Sequence, residues 1–239
     1  NFSLSGNDFT PFLNITFVTG LLAMMAMGII LYFARSRKYE SALPAGNFFR
    51  NYFIYYASIL FLVIAYLVFF VEIQGYFSSI EGRAWQQGET YDFRFAGLLL
   101  YSMVFVGIIS SVNRYWIRSS ELNTASIAGI AILLVVLLSA GLPALNNLSA
   151  EYFQGEGEAV YFGMWCLSIR YITAIITCCL LYLGLKAART ICDAPISVRI
   201  WDIVIHTTIL GFLSAEYLQW AGISGEGNQY KLGLSILWG

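Results

Sequence analysis

Two charged side chains stand where a charge is hardest to keep. Arg170 and Glu216 each lie about two turns inside an otherwise apolar stretch, where an unpaired charge costs roughly 3 kcal/mol or more. Each must therefore be paired or hydrated. Pairing Glu216 with Arg170 or with Lys231 across helices would make a charge-assisted hydrogen bond in a low-dielectric setting. Two chemistries suit such a pair. One is a clamp that fixes helix register. The other is an outward-facing polar cavity lined by Glu72, Arg94, Glu151, Arg170, Glu216 and Lys231, able to take an anionic headgroup or a proton-coupled solute.

His206 is the only histidine, and Asp202 precedes it by one helical turn on the same face. That spacing suits a carboxylate–imidazole proton relay, and equally a satisfied interior histidine. One histidine without further Cys, His or carboxylate ligands argues against a zinc or haem site, so no metal or other cofactor is expected. Of the four cysteines, Cys166, Cys178 and Cys179 share one apolar stretch and Cys192 follows it. Their spacing fits neither a metal site nor a disulfide framework, so they are expected to be packing residues. The chain has no nucleophile elbow, phosphate-binding glycine loop or metalloprotease helix.

The acidic residues fall into a repeated setting. Ser149-Ala150-Glu151-Tyr152-Phe153-Gln154 reads against Ser214-Ala215-Glu216-Tyr217-Leu218-Gln219, and Gly-Glu-Gly follows both. Val71-Glu72-Ile73-Gln74-Gly75 is a weaker third copy. A basic residue follows each, at Arg94, Arg170 and Lys231, with a bulky apolar residue after it. The implied unit is a helical hairpin with a carboxylate on its rising helix and a cation on its descending one.

The elements that carry these residues are written in the hydropathy. The chain is 59% hydrophobic and 11% charged, against about 25% charged for ordinary soluble domains. Residues 9–34, 51–71, 95–113 and 122–150 contain no Asp, Glu, Lys or Arg, and each run reaches the roughly 18 to 20 residues that cross a bilayer as helix. Residues 159–185 and about 200–223 are apolar but interrupted, the first by Arg170 and the second by Asp202, His206 and Glu216. A seventh span is expected to begin near Tyr230. The fold predicted is an all-α, polytopic transmembrane bundle of antiparallel hairpins, with 1–239 one helical region and a fragment of a longer membrane protein. Pro11, Pro44, Pro143 and Pro195 all fall near span ends or loops, so no proline-broken midplane helix is expected.

Arg35, Arg37, Lys38, Arg50, Arg114, Arg118, Lys186, Arg189 and Arg199 fall on one side of these spans. Glu81, Glu89, Asp92, Glu156, Glu158 and Glu226 fall on the other, with Arg83 an isolated basic exception. By the positive-inside rule the basic side is cytoplasmic and the amino terminus lies outside. Tyr32, Tyr76, Tyr115, Trp116, Trp165, Trp201 and Trp220 gather near span ends, where amphipathic rings prefer the headgroup zone. With a formal net charge of −1 the chain lacks the basic face that nucleic acid requires.

Two seven-helix families are set aside. The Schiff-base lysine of retinal proteins lies mid-span, whereas Lys231 begins its helix. Asn113-Arg114-Tyr115 looks like the arginine motif of G-protein-coupled receptors, but the later spans lack that family's proline signatures.

The stretch Ser214-Ala215-Glu216, followed by Tyr230-Lys231-Leu232-Gly233-Leu234-Ser235-Ile236-Leu237-Trp238-Gly239, resembles the carboxy-terminal region of a family of large bacterial polytopic membrane proteins described only as a domain of unknown function. The family's recurring elements fall here on Glu216, Lys231, Ser235, Trp238, Arg170 and Tyr171, and the match covers about the last third of the chain. Its usual asparagine two residues before the arginine is Ser168 here. The resemblance implies a long helical array in the bacterial inner membrane and assigns no catalytic role.

The function expected is that of an integral component of the cell envelope, in transport or translocation, with a polar track near the outer leaflet. The alternatives are a membrane enzyme acting on a lipid-linked sugar or acyl donor, and a non-catalytic scaffold subunit. The partners expected are membrane lipids and further helices of the same protein or other membrane subunits.

Overall fold

In an apolar medium a chain must satisfy its own backbone, and a helix does so within one segment. The computed structural model describes residues 12, 14–36, 47–84, 92–155, 157, 159–191, 195–223 and 238. Nearly all of these are helical, with no strand among the described residues. The helices are α1 (Ile15–Arg35), α2 (Asn47–Ala84), α3 (Asp92–Val112), α4 (Ser120–Val136), α5 (Leu142–Gln154), α6 (Ala159–Phe162), α7 (Trp165–Ile191) and α8 (Pro195–Ile223). Among the described residues, six helical stretches are long and apolar enough to cross a membrane: Ile15–Ala34, Tyr52–Ser79, Asp92–Ile117, Ser120–Gln154, Trp165–Arg189 and Val198–Ala221. The chain is a multi-pass membrane protein. The two stretches that carry charges are spans like the rest. The expected seventh span falls outside the described residues except at Trp238.

The polar side chains follow the same rule as the backbone. Ser102, Thr173, Thr177 and Thr208 are buried and each hydroxyl donates to the carbonyl one turn back, at 2.7 to 2.8 Å. Large apolar side chains such as Ile29, Leu60, Ile132, Ile175 and Ile203 point outward instead. That inversion suits hydrocarbon rather than water.

The helices form two compact units, Asn1–Gly88 and Glu89–Gly239. In the first, α1 packs on α2. Gly20 makes the close approach possible, because a Cβ there would come within 2.8 Å of Val68 Cγ2. The second unit is built around α7, which packs against α3, α4, α5 and α8. Its core includes Met103, Ile130, Leu134, Leu137, Leu145, Leu148 and Leu180, all essentially inaccessible. Cys166 belongs to this core, whereas Cys178 and Cys179 are exposed free thiols. Of the four cysteines expected to pack, Cys166 is in the core, Cys178 and Cys179 are on the surface of α7, and Cys192 lies outside the described residues.

Two π turns interrupt this unit. The first, Asn113–Ile117, closes α3 and ends at Arg118 in the left-handed conformation, φ 55°. Asn113, buried, then brackets the turn: its Nδ2 donates to the Ser119 carbonyl at 3.0 Å and its Oδ1 accepts from the Ser119 N–H at 2.9 Å. The second, Leu137–Gly141, joins α4 to α5 within a single span. Pro143 follows one residue after it, inside the span Ser120–Gln154 rather than near an end or in a loop. A proline in an α-helix lacks one N–H and crowds the carbonyl four residues back. The wider π turn, in which the Leu142 N–H reaches the Leu137 oxygen, accommodates both without breaking the span.

Trp201 also departs from expectation. Tyr32, Tyr76, Tyr115, Trp116, Trp165 and Trp220 are exposed, in keeping with a headgroup belt, but Trp201 is buried in the core. Its indole N–H donates to the Leu181 carbonyl at 3.1 Å, which satisfies the polar end of the ring without water.

Candidate functional site

Three helices of the second unit meet at Arg170. The residue sits on the second turn of α7 and is only 3% exposed. From α8, Glu216 Oε1 accepts a hydrogen bond from Arg170 Nε at 2.7 Å. From α5, Asn146 Oδ1 accepts from Nη1 at 2.9 Å and Ser149 Oγ from the same nitrogen at 3.4 Å. Asn146 and Ser149 are three residues apart, so one face of α5 presents both. Ser149 is fully buried, and its own hydroxyl proton goes to the Leu145 carbonyl at 2.9 Å. The guanidinium is thus tied to both neighbouring helices.

Glu216 is the more open partner, with 34% of its side chain exposed. Two residues earlier, Ser214 Oγ accepts from the Trp238 indole N–H at 2.9 Å. Lys231, the alternative partner for Glu216, lies outside the described residues.

The remaining candidates are held in settings of their own. Glu72, 5% exposed, belongs to the first unit, where its Oε1 accepts from the Phe12 N–H and its Oε2 from Asn14 Nδ2, both at 2.7 Å. Asn14 in turn caps α1 by accepting from the Phe17 N–H at 2.7 Å. The carboxylate of Glu72 therefore anchors the start of α1. Arg94 is half-buried on the first turn of α3. Nearby on that turn, Asp92 Oδ2 accepts from Asn147 Nδ2 of α5 at 3.1 Å. Glu151 is half-buried, and its carboxylate packs so closely on Gly157 that any side chain there would collide with it. Gly155 and Gly157 have φ of 69° and 61°. In this copy of the Gly-Glu-Gly repeat the glycines end α5 in left-handed turns that other residues adopt at a cost. The second copy lies outside the described residues.

His206 and Asp202 are exposed, and the imidazole does not engage the carboxylate. His206 Nδ1 contacts the Asp202 main-chain oxygen at 2.7 Å. A carbonyl only accepts, so this contact has Nδ1 as the donor. Among the described residues, no group of three His, Cys, Asp or Glu is arranged to hold a metal ion.

No protein-family profile, curated protein sequence or solved structure matches this chain. Its chemistry rests on its own residues.

Asn146, which joins the Arg170 cluster, and Asn147 and Asn113, which bond to Asp92 and Ser119, are not among the residues singled out from the sequence. A signal for them existed. Each is an amide inside or at the end of an uncharged run, where an unsatisfied polar side chain is costly.

Proposed function

We propose that this chain is a structural, non-catalytic part of a larger helical array in the bacterial cytoplasmic membrane, and that its intramembrane charges set helix register. The observation that carries this reading is Arg170. Its Nε donates to Glu216 and its Nη1 to Asn146 and Ser149, and its side chain is 3% exposed. A register clamp uses its guanidinium to tie its own helices together, as Nε and Nη1 do here to α8 and α5. Glu72 supports the same reading, since Phe12 and Asn14 take both of its oxygens.

In this reading the hairpin repeats and the resemblance to large polytopic bacterial proteins describe one helical array. The distribution of Lys and Arg favours an amino terminus on the outer face.

A second reading, a polar track for transport or translocation, is favoured by one observation: Glu216 is one-third exposed. A double-mutant cycle on Arg170→Leu and Glu216→Gln distinguishes the two, using the full chain in lipid nanodiscs and reversible unfolding by detergent titration. A clamp gives destabilised single variants with a coupling of about 1 to 3 kcal/mol. Variants as stable as the parent would refute the clamp and leave the pair available for a solute.

A further inference from the structure

At the opposite end of the second unit, away from the start of α7, the turn between α3 and α4 encloses a pocket of about 560 Å³. Arg114, Arg118, Ser119, Ser120 and Asn123 line one side, and Leu183 of α7 forms part of the other. Among the described residues, neither guanidinium makes a hydrogen bond or an ion pair, although both belong to a turn that is otherwise fully bonded. Asn113 and Ser119 exchange two hydrogen bonds, and the Arg118 N–H donates to the Asn113 carbonyl at 2.6 Å. Glu121, the acid of this turn, accepts from the Ser119 hydroxyl at 2.7 Å and pairs with neither arginine. The scaffold is therefore fixed while its two cations face the pocket unneutralised.

Three features bear on the occupant. Two guanidiniums beside serine hydroxyls at the start of a 17-residue helix present donors and positive potential suited to a phosphate. The pocket lies where the span Asp92–Ile117 ends and the span Ser120–Gln154 begins, which is headgroup depth. Tyr115 and Trp116 beside it are 65% and 83% exposed, as rings at a membrane interface are. The Leu183 wall adds an apolar side that inorganic phosphate has no use for.

We infer that this pocket binds the phosphate of an anionic phospholipid headgroup, with Arg114 and Arg118 as its cations. The glycerol and first acyl carbons lie against Leu183. The site stands apart from the Arg170 cluster and does not depend on the clamp reading.

The test uses the full chain in nanodiscs of phosphatidylcholine mixed with phosphatidylglycerol, with retained lipid counted by native mass spectrometry. The parent chain should retain phosphatidylglycerol preferentially. Arg114→Gln and Arg118→Gln should each reduce that preference roughly fivefold, and the double variant roughly 30-fold. Arg199→Gln, an exposed arginine on α8, should leave it nearly intact. Circular dichroism and unfolding of each variant establish that it is folded, and Arg114→Lys with Arg118→Lys keeps the charge should the glutamine pair fail to fold. The proposal is overturned if the parent shows no preference for phosphatidylglycerol, if Arg199→Gln removes it as fully as the pocket variants, or if inorganic phosphate displaces the lipid at millimolar levels, which would mark a soluble-phosphate site.

Discussion

The indole of Trp201 lies over Gly184 of α7 so closely that a single methyl group at residue 184 would overlap the ring. The two residues let α8 approach α7 toward the carboxy-terminal end of α7, as Glu216 and Arg170 tie the same helices near its amino-terminal end. Gly184→Ala should therefore destabilise the chain by about 1 to 3 kcal/mol, the usual cost of overpacking. Trp201→Phe should cost less, about 1 kcal/mol for the lost bond to Leu181. Detergent-titration unfolding measures both, and a neutral Gly184→Ala would refute the close contact.

Near the start of α7, Arg170→Leu leaves Glu216 and Asn146 without their donor, and Glu216→Gln leaves the guanidinium without its counter-charge. Both should destabilise, because removing one partner of a buried pair leaves the other uncompensated. Asn146→Leu should cost about 1 kcal/mol and couple to Arg170→Leu rather than add to it. Strict additivity would show that the amide and the guanidinium do not meet.

Glu72 and Asn14 share one hydrogen bond that secures the start of α1. Asn14→Ala should lower stability by about 1 kcal/mol through the lost cap, and Glu72→Gln should weaken the same contact. Amide exchange in the first turn of α1 reads this directly. Unchanged protection in both variants would show that the cap does not hold α1.

Asn113→Ala removes both bonds to Ser119 from a buried position, at a cost of about 1 to 3 kcal/mol. The turn then loosens, so the same variant should also weaken retention of anionic lipid without removing either arginine. Retention equal to the parent's would separate the turn from the pocket.

Cys178 and Cys179 are exposed free thiols near the middle of the span Trp165–Arg189. A thiol that faces hydrocarbon is out of reach of a reagent confined to water. Water-soluble maleimide should leave both unlabelled in a bilayer and modify them once the chain is unfolded in detergent. Rapid labelling in the bilayer would mean that this face of α7 borders water.

The spans were legible because bilayer thickness imposes a length on every uncharged run, and residues 51–71 and 122–150 need no other argument. Arg170 and Glu216 were legible as a pair for a related reason, since two opposite charges at similar depth have few other ways to be tolerated. Asn146 and Ser149 were not. Choosing which amides of an apolar run face a given arginine requires the rotation of each helix, and local sequence does not specify it. Pro143 was misplaced because hydropathy cannot tell a helix end from a π turn that lets a proline pass. Trp201 was assigned to the headgroup belt on position alone, and its burial depends on Gly184, seventeen residues earlier on another helix.

The π turn at Leu137–Gly141 contains one residue more than an α-helical turn would. Each α-helical residue advances the chain by about 100° around the axis, so that extra residue sets the azimuth of everything after it. Take it out, by deleting Ser139 for instance, and α5 would arrive turned by about a quarter of a circle, with Asn146 and Ser149 aimed away from Arg170. The span is thus two helices in angular phase with different neighbours, and the bulge is the gear tooth between them.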